Sequence, residues 1–534
     1  GKIGVCHVTS GPGGTNAITG VVGAFIDSIP QLIISGQVET RSLINNSSLR
    51  QRGVQEVNIT KLVRPIVKYC VTIKNPDLIK YELEKAFFIS QNGRPGPVWI
   101  DIPLDIQNKK VNLKRLKSFK ETKKKSAPFN NKFKQIWNLI KKAKRPTFVT
   151  GNGIHLSKSE KNLKRVVKLF NIPILTSWNT SDLFTKDHQK NIGSFGIFGD
   201  RASNFTIQNS DLIIILGCRM SLPQTGYNLN LFAPEAKIIY VDIDENEIHK
   251  LKKNTIKIVA DVKFFLDEFY KYFKKKSLKE INLIQKKWLI TTVNWKKKYP
   301  IVLSTYKKQK KINSFFFTEI LSKNLKNNSC IVTDMGTSFT CTMQTFRSNK
   351  KYRLYTSSGL ASMGFGLPGA VGAAFADKKN QTICITGDGG FMFNLQELQT
   401  IKHHNLDIKI FVLCNKGYLT MKLMQKKNFK FYIGSTPTSG ITCPDFTKVA
   451  KAFGINSYKI DKTKNLEKKM KNLLNKNGSF ICHIEMPEHQ QLVPRLQTLI
   501  DKNKNFLPTP IDNLYPYLNE DEYKKNIFYK SPIS

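Results

Sequence analysis

The strongest constraint on the fold is a glycine-rich turn, Gly387-Asp388-Gly389-Gly390, which directly follows an apolar stretch at 381–386. A helical pattern of apolar residues begins shortly afterwards, at Leu395. Glycines let a backbone approach a phosphate closely, and the start of a helix offers free N–H donors. A buried strand, a glycine turn and a helix form a βα unit, which belongs in a parallel sheet covered by helices. Taken alone, the motif also fits a tight turn capped by an aspartate.

Short apolar runs alternate with helical patterns and with Gly or Pro turns through most of the 534 residues. This alternation predicts an α/β fold with three doubly wound parallel-sheet domains. The strands are predicted at 5–8, 31–35, 98–102, 146–150, 211–216, 237–241, 330–333, 382–386, 408–413 and 480–485. The predicted divisions are a first domain at 1–108, a linker at 109–132, a second domain at 133–265, a helical connector at 266–312, a third domain at 313–500 and an extended tail at 501–534.

The charge balance is strongly basic, with 85 Lys and Arg against 39 Asp and Glu, a net charge of +46. Only 13 of the basic residues are Arg, whereas nucleic-acid readers favour the forked guanidinium group. The lysines are spread along the chain, so we expect a solvated surface and no nucleic-acid partner. Nine Cys without a CxxC pair predict reduced thiols and a cytoplasmic location. The long uncharged run at 354–376 is rich in glycine and contains a proline, so we expect a buried loop and helix and no membrane span.

A second strand end supplies a partner for Asp388. The predicted strand at 408–413 runs into Asn415, which lies 27 residues after Asp388, and Gly417 follows. Adjacent parallel strands bring their carboxyl ends to the same edge of a sheet, where ligands bind. A carboxylate, an amide oxygen and a main-chain carbonyl oxygen suit octahedral Mg²⁺ that also holds phosphate oxygens and water.

This combination resembles the thiamine diphosphate enzymes, whose motif is a Gly-Asp-Gly followed by an Asn at such spacing. Further segments are similar to acetolactate (acetohydroxyacid) synthase large subunits, so the resemblance covers essentially the whole chain. These segments are Gly11-Pro12-Gly13-Gly14-Thr15-Asn16, Asp27-Ser28-Ile29-Pro30, Ser35-Gly36-Gln37-Val38, Arg94-Pro95-Gly96-Pro97-Val98, Asp101-Ile102-Pro103 and Ser358-Gly359-Leu360-Ala361-Ser362-Met363-Gly364.

The resemblance implies a pyrimidine-binding, a central and a diphosphate-binding domain, in that order, and a cofactor site shared between subunits of a homodimer or homotetramer. It implies Gln37 and Lys68 as catalytic candidates, Lys68 because it matches a family lysine near the active site. The cofactor residues it implies are the Mg²⁺ ligands Asp388, Asn415 and the Gly417 carbonyl, the diphosphate neighbours Gly336, Thr337, Gly387, Gly389 and Gly390, Met363 as the support of the bent cofactor, and Pro12, Asn16 and Gln37, which would border the pyrimidine ring from the partner subunit.

The implied reaction is the decarboxylation of pyruvate or another 2-keto acid and transfer of the acyl unit to a second carbonyl, in branched-chain amino acid biosynthesis. Two positions depart from the family, because Val54 replaces a Phe and Met424 replaces a Trp. These departures favour a related carboligase or decarboxylase with a modified sugar or aldehyde acceptor. The tail at 510–516 resembles an acetolactate-synthase-like branch linked to surface-sugar biosynthesis. A cofactor-fold protein without catalysis is the third alternative.

Two further expectations concern the N-terminus and the central domain. The family's activating Glu lies upstream of the segment that starts this sequence, and no Glu precedes Glu39, so we expect a truncated N-terminus and little activity in the chain as given. For the central domain two alternatives stand: it binds FAD, through Arg219, Thr225-Gly226 and Asp242-Ile243-Asp244, or it is a structural spacer. Ser177-Trp178-Asn179, in place of the family's glycine-rich stretch, marks its divergence.

Overall fold

The computed structural model describes residues 3–44, 48–121, 129–251, 255–500 and 506–530. It divides into two compact units, the first comprising residues 1–127 with 357–362 and the second 128–356 with 363–534. Part of the predicted linker, at 122–128, and parts of the predicted tail, at 501–505 and 531–534, lie outside the described residues. Within the described ranges no helix is long and apolar enough to cross a membrane.

The first unit contains one parallel sheet in the order β1-β2-β4-β3. Its centre is apolar, and Trp99 of the third strand in this order is fully buried. The strands are β1 Gly4–Val8, β2 Gln31–Gln37, β3 Tyr69–Thr72 and β4 Pro97–Pro103, and the helices are α1 Pro12–Ile26, α2 Ile59–Val63, α3 Ile79–Gln91 and α4 Leu104–Gln107. The sequence pattern missed the short strand β3, whose residues are only half-buried.

The second unit contains two parallel sheets, as the alternation predicted, and each sheet has six strands. The first of them has the order β10-β9-β8-β5-β6-β7. Its strands are β5 Pro146–Thr150, β6 Ile174–Thr176, β7 Asn191–Ser194, β8 Leu212–Leu216, β9 Lys237–Asp242 and β10 Thr255–Val259. The helices here are α5 Asn130–Lys142, α6 Gly153–Leu156, α7 Glu160–Leu169, α8 Arg201–Gln208, α9 Leu222–Thr225, α10 Glu245–His249 and α11 Val262–Phe273, followed in the predicted connector by α12 Lys279–Lys298 and α13 Ser304–Lys308.

The second sheet of this unit has the order β12-β11-β13-β14-β16-β15. Its strands are β11 Ser329–Thr333, β12 Tyr352–Tyr355, β13 Thr382–Gly387, β14 Ile408–Cys414, β15 Asn456–Ile460 and β16 Phe480–Glu485. Its helices are α14 Ser314–Lys323, α15 Thr337–Thr345, α16 Gly366–Ala376, α17 Asp388–Phe391, α18 Glu397–His403, α19 Leu419–Asn428, α20 Phe446–Ala452 and α21 Leu466–Leu474. Strand β14 is buried along its whole length, as expected of a strand covered by helices on both faces. The strand order reverses between β11 and β13, which is where open α/β sheets bind ligands.

The predicted extended tail is partly wrong, because its described residues contain a helix. Strand β18 Phe506–Leu507 of the tail pairs with β17 Leu499–Ile500, at the end of the predicted third domain, in a short antiparallel pair, and the tail also has a helix, α22 Glu520–Lys525. Asn519 caps this helix by accepting a 2.8 Å hydrogen bond from the N–H of Glu522, and three acidic residues occupy its first turn. An Asn followed by acidic residues favours a helix start, so the signal was present in the sequence.

Candidate active site

Asp388 and Asn415 meet at the carboxyl edge of the second sheet of the second unit. Strands β13 and β14 are adjacent and parallel, with Gly387 paired to Leu413, so the residues that follow both strands lie side by side. The buried Asp388 carboxylate accepts hydrogen bonds from the N–H groups of Asn415 at 2.8 Å, Lys416 at 2.8 Å, Gly417 at 3.4 Å and Gly389 at 2.9 Å. Burial raises the pKa of Asp388, and these N–H groups oppose that rise.

The Asn415 side chain carries a buried oxygen without a partner. Asn415 is 3% exposed, and its Oδ1 has no hydrogen-bond partner among the residues that the structure describes. A buried amide oxygen left unpaired costs about 1–3 kcal/mol, so such an atom signals a missing partner. A carboxylate, this oxygen and the nearby Gly417 carbonyl form the hard-oxygen set that Mg²⁺ prefers. The residues at this edge therefore fit the magnesium ion predicted from the sequence.

The candidate metal site at Asp388 offers oxygen donors of different kinds. Within the described part of the chain, no three His, Cys, Asp or Glu side chains form a metal-binding group. A metal that binds this chain at Asp388 would therefore combine one carboxylate with amide and carbonyl oxygens, as Mg²⁺ sites that also hold phosphate do.

The glycines of the motif are required by close contacts. A Cβ atom on Gly389 would lie 2.1 Å from Cε1 of Tyr418, and a Cβ on Gly390 would lie 2.7 Å from Oδ2 of Asp334. A Cβ on Gly387 would meet no atom of the described residues within 4 Å. Gly389 and Gly390 thus let neighbouring side chains pack directly on the backbone, whereas Gly387 leaves an open face for a ligand.

Gly336 and Thr337 lie at the end of the adjacent strand β11, at the same edge. Gly336 has a φ of +74° and precedes α15, and Thr337 is its first residue and is buried. A Cβ on Gly336 would come within 4.0 Å of Thr420 Oγ1, so this turn faces α19, which begins just after Gly417. The structure thus brings these two predicted diphosphate neighbours to the edge that carries Asp388.

Asp334 is a site residue that sequence reasoning missed. Its buried carboxylate accepts hydrogen bonds from the N–H groups of Met335 at 2.7 Å and Gly364 at 3.0 Å, and from the hydroxyl of Thr386 at 2.9 Å. It therefore ties the end of β11 to β13 and to the segment before α16. Burial raises the pKa of Asp334. Its signal was the same as that of Asp388, an Asp directly after a buried strand.

Met363 directly precedes Gly364 and is 41% exposed. The backbone beside it is fixed, because Gly364 donates to Asp334 and its carbonyl accepts a 2.9 Å hydrogen bond from Asn394 Nδ2. An exposed side chain on a fixed backbone, as Met363 is, can support a ligand. Its predicted role under a bent cofactor stays a prediction.

In the first unit, Gln37 belongs to a buried polar network at the carboxyl edge of the sheet. Its Nε2 donates to the Val57 carbonyl at 2.9 Å and to Asp101 Oδ2 at 3.2 Å. Asp101 also accepts from Ser35 Oγ at 2.6 Å and from Thr72 Oγ1 at 3.1 Å, and burial raises its pKa. A cavity of about 630 Å³ adjoins this network. Pro12 and Asn16, in α1, are both exposed and free to meet a ligand or another chain.

The structure does not bring Lys68 to the edge that holds Gln37. The Lys68 N–H bonds to Pro97, where β4 begins, whereas Gln37 pairs with Pro103, where β4 ends. At ~3.3 Å per residue the two lie about 20 Å apart along the strand. The Lys68 ammonium donates to the carbonyls of Ile89 and Asn92 at the end of α3, and burial lowers its pKa to about 8. Within this unit, Lys68 therefore stabilises a helix end.

Comparison with known families identifies the three sheets. The family model described as the thiamine pyrophosphate enzyme C-terminal TPP binding domain matches residues 334–484, the central domain matches 133–269 and the N-terminal TPP binding domain matches 1–62. A probable acetolactate synthase large subunit from Methanococcus aeolicus is 35% identical over 523 residues, covering 94% of this chain and 85% of that protein. The chain belongs to the acetolactate synthase large-subunit family of thiamine pyrophosphate enzymes.

Other relatives agree. Acetolactate synthase large subunits from Buchnera aphidicola subsp. Schizaphis graminum (strain Sg) and Porphyra purpurea are 36% and 32% identical over 478 and 501 residues. They cover 88% and 92% of this chain, and 81% and 82% of those proteins. The predicted family, the three parallel-sheet domains and the thiamine diphosphate (thiamine pyrophosphate) cofactor are thereby confirmed. As expected for a thiamine pyrophosphate enzyme, Asp388 and Asn415 lie in the stretch matched to the C-terminal TPP binding domain.

Proposed function

We propose that this protein decarboxylates pyruvate or a related 2-keto acid and transfers the acyl unit to a second carbonyl, using thiamine diphosphate and Mg²⁺. The observation that carries the proposal is the unpaired, buried Oδ1 of Asn415, a residue whose main-chain N–H donates to the Asp388 carboxylate. The proposal is supported by the acetolactate synthase large subunits among the relatives. When bound, thiamine diphosphate supplies the centre that stabilises the carbanion left by loss of CO₂.

The chain's own residues would bind Mg²⁺ and orient the cofactor. Asp388, Asn415 and the Gly417 carbonyl would hold Mg²⁺, and the open face at Gly387 would border the diphosphate together with the turn at Gly336. Met363 would support the cofactor from the segment that Asp334 fixes. Gln37 would border the pyrimidine ring of the cofactor held by another copy of the chain, and Asp101 holds its amide in one position. Such fixed polar groups need little reorganisation when charge changes during the reaction.

The choice of acceptor is a separate proposal. Acetolactate formation from two pyruvates is the first candidate, because the curated relatives are acetolactate synthases by name. The second candidate is transfer to a modified sugar or aldehyde. It is favoured by Val54 and Met424, which are 87% and 41% exposed and lack the aromatic rings that the family resemblance leads us to expect at both positions.

We propose that two copies of the chain complete each site, as a homodimer or homotetramer. The predicted pyrimidine neighbours Pro12 and Asn16 are exposed, as residues that meet another chain must be. A cytoplasmic location is proposed because all nine cysteines are free thiols. The domain boundaries 1–108, 133–265 and 313–500 remain proposals of the same kind.

For the central domain we propose the structural spacer and not the FAD site. Its strand order reverses between β5 and β8, where a dinucleotide would bind. There, a Cβ on Gly151 would lie 2.2 Å from Cys218 Cα, so the two loops are packed against each other. A Cβ on Gly226, matched to the FAD pattern, would lie 2.6 Å from Ile511 of the tail. The residues present therefore do not fit FAD. Flavin absorbance in the purified, unsupplemented protein would overturn this proposal.

The activity is tested with the protein expressed from its complete open reading frame. It is incubated with thiamine diphosphate, Mg²⁺ and pyruvate, and both CO₂ and acetolactate are measured. Formation of both products supports the first candidate, and CO₂ without acetolactate supports another acceptor. Tight cofactor binding with neither product, on pyruvate or on a panel of 2-keto acids with sugar and aldehyde acceptors, would contradict the proposed function.

A further inference from the structure

A buried lysine lies against the loop that carries Asn415 and Gly417. Lys422, in α19, is 2% exposed, and its Nζ donates a 2.8 Å hydrogen bond to the main-chain carbonyl of Asn415. Lysine is almost never fully buried unless it is paired, because an ammonium group taken out of water loses several kcal/mol of solvation free energy. The burial of Lys422 therefore needs a compensating negative charge nearby.

Burial lowers the pKa of the Lys422 ammonium, and the charges of Asp388 and then Glu488 oppose that lowering. Glu488 already forms an ion pair with Lys416, with 2.8 Å between Nζ and Oε1. Asp388 has N–H groups as its hydrogen-bond donors, so its charge is shared with no side-chain cation at hydrogen-bond distance among the described residues. The direct contact of the Lys422 ammonium is with the Asn415 carbonyl, so the lysine acts on the Asp388 site through this loop.

The loop is consequently fixed from two sides. The N–H groups of Asn415, Lys416 and Gly417 point at the Asp388 carboxylate, while the Asn415 carbonyl points at the Lys422 ammonium. The N–H and carbonyl groups of this short segment are therefore held by opposite charges. This arrangement fixes the backbone from which the Asn415 side chain extends.

We propose that Lys422 is a positioning residue for the magnesium and diphosphate site. Its ammonium group orients the Asn415 carbonyl, and with it the loop that would supply two Mg²⁺ ligands. This inference rests on the proposed metal site at Asp388 and Asn415. Partners that hold metal ligands in place typically contribute about 10- to 100-fold in affinity or activity.

The test separates hydrogen bond from charge with three substitutions. Lys422→Met removes both, Lys422→Gln keeps a donor without the charge, and Lys422→Arg keeps both. We titrate Mg²⁺ at saturating thiamine diphosphate and follow cofactor binding by calorimetry, independently of turnover. Lys422→Met should raise the half-saturating Mg²⁺ concentration about 10- to 100-fold. Lys422→Gln should be intermediate, and Lys422→Arg should restore most of the affinity. If Lys422→Met does not fold, Lys422→Gln carries the same test.

Lys409 provides a matched control for stability. It is equally buried, but lies at the other end of β14, where it donates to the carbonyls of Lys476 at 2.7 Å and Gly478 at 2.5 Å. Lys409→Met should lower the Tm of the ligand-free protein without changing the Mg²⁺ titration. A Lys422→Gln variant that behaves in the same way, with lowered Tm and unchanged affinity, overturns the positioning role.

Asp388→Ala distinguishes a failure of the Lys422 inference from a failure of the proposed metal site. Loss of Mg²⁺-dependent binding in Asp388→Ala with wild-type affinity in Lys422→Met would overturn the inference about Lys422 and leave the proposed metal site standing. Wild-type affinity in Asp388→Ala would overturn both. Loss in Asp388→Ala, a partial loss in Lys422→Met and recovery in Lys422→Arg is the result we expect.

Discussion

The main-chain N–H of Asn415 donates a 2.8 Å hydrogen bond to the carboxylate of Asp388, although 27 residues separate the two along the chain. The parallel pairing of β13 with β14 produces this contact, because both strands end at the same edge. The backbone of one candidate ligand therefore fixes the carboxylate of the other, while the Asn415 Oδ1 stays available. A site whose ligands are held by the scaffold in this way is preorganised for a metal ion.

Replacing Asn415 with Ala should weaken Mg²⁺-dependent binding of thiamine diphosphate by at least about tenfold. Loss of a partner that merely orients a metal ligand has that effect, and loss of the ligand itself should cost no less. Calorimetric titration measures the change. The exposed Asn475, at the end of α21, serves as control, and Asn475→Ala should bind like the wild type. Equal affinities in all three proteins would refute the ligand role of Asn415.

Gly389→Ala should destabilise the protein and reduce cofactor binding, because the new Cβ would lie 2.1 Å from the Tyr418 ring. Overpacking of this kind costs about 1–3 kcal/mol. The double variant Gly389→Ala/Tyr418→Ala should recover part of the loss in chemical denaturation. Gly372 in α16, whose Cβ would meet no atom of the described residues within 4 Å, is the control. If Gly389→Ala is as harmless as Gly372→Ala, the packing argument fails.

Asp182→Ala should lower the free energy of unfolding by about 3–5 kcal/mol, because it breaks a buried charge cluster. The Asp182 carboxylate contacts His155 Nε2 at 2.8 Å and forms an ion pair with Arg353, so the central domain is joined to strand β12. The exposed pair His249 and Glu245, 3.6 Å apart, is the comparison. Glu245→Ala should change stability by no more than about 1 kcal/mol. Similar losses in the two variants would show that burial is not decisive here.

Asp512 should make stability depend on pH. Its carboxylate is fully buried, accepts from the hydroxyls of Tyr523 and Tyr529 at 3.1 Å, and has its pKa raised by burial to about 7. The folded state therefore holds this proton more tightly than the unfolded chain, whose Asp has a pKa of about 3.9. The contribution of this proton to the free energy of unfolding is complete below pH ~4 and is lost as the pH rises to about 7. The loss is on the order of 1 kcal/mol for each pH unit.

Asp512→Asn should remove this dependence, since it keeps the volume and cannot ionise. Urea unfolding of wild type and variant between about pH 4 and pH 7 measures it. The variant should gain stability relative to the wild type as the pH rises. Parallel pH profiles for the two proteins would contradict the account of Asp512.

The sequence predicted seven of the twelve strands in the two parallel sheets of the second unit, and the clearest of them are fully buried. Strand β8, with the sequence Leu-Ile-Ile-Ile-Leu, and strand β14 form continuous apolar runs bounded by turn residues, and both lie where the pattern predicted them. Strand β3, five strands of the second unit (β6, β7, β10, β12 and β15) and helix α22 were missed. Strands β3, β10 and β15 are largely unburied and so lack an apolar run, and β6, β7 and β12 have only three or four residues each. Helix α22 depends on a cap, Asn519, rather than on apolar periodicity.

The candidate site was predicted only in part. Asp388 and Asn415 follow strands and carry a recognisable spacing, so their meeting could be expected. Asp334 could have been noticed as an Asp after a strand, but its partners Gly364 and Thr386 are far from it in sequence. Lys422 gave no signal at all, since nothing distinguishes a buried lysine from the many exposed ones in a chain of this composition.

The central claim is a metal site between Asp388 and Asn415, and crystals grown with thiamine diphosphate and Mn²⁺ in place of Mg²⁺ test it most directly. Anomalous scattering locates the metal independently of any refinement. We expect one strong peak within about 2.0–2.3 Å of the Asp388 carboxylate, Asn415 Oδ1 and the Gly417 carbonyl oxygen. A peak elsewhere, or cofactor density without a metal at these three oxygens, would contradict the account.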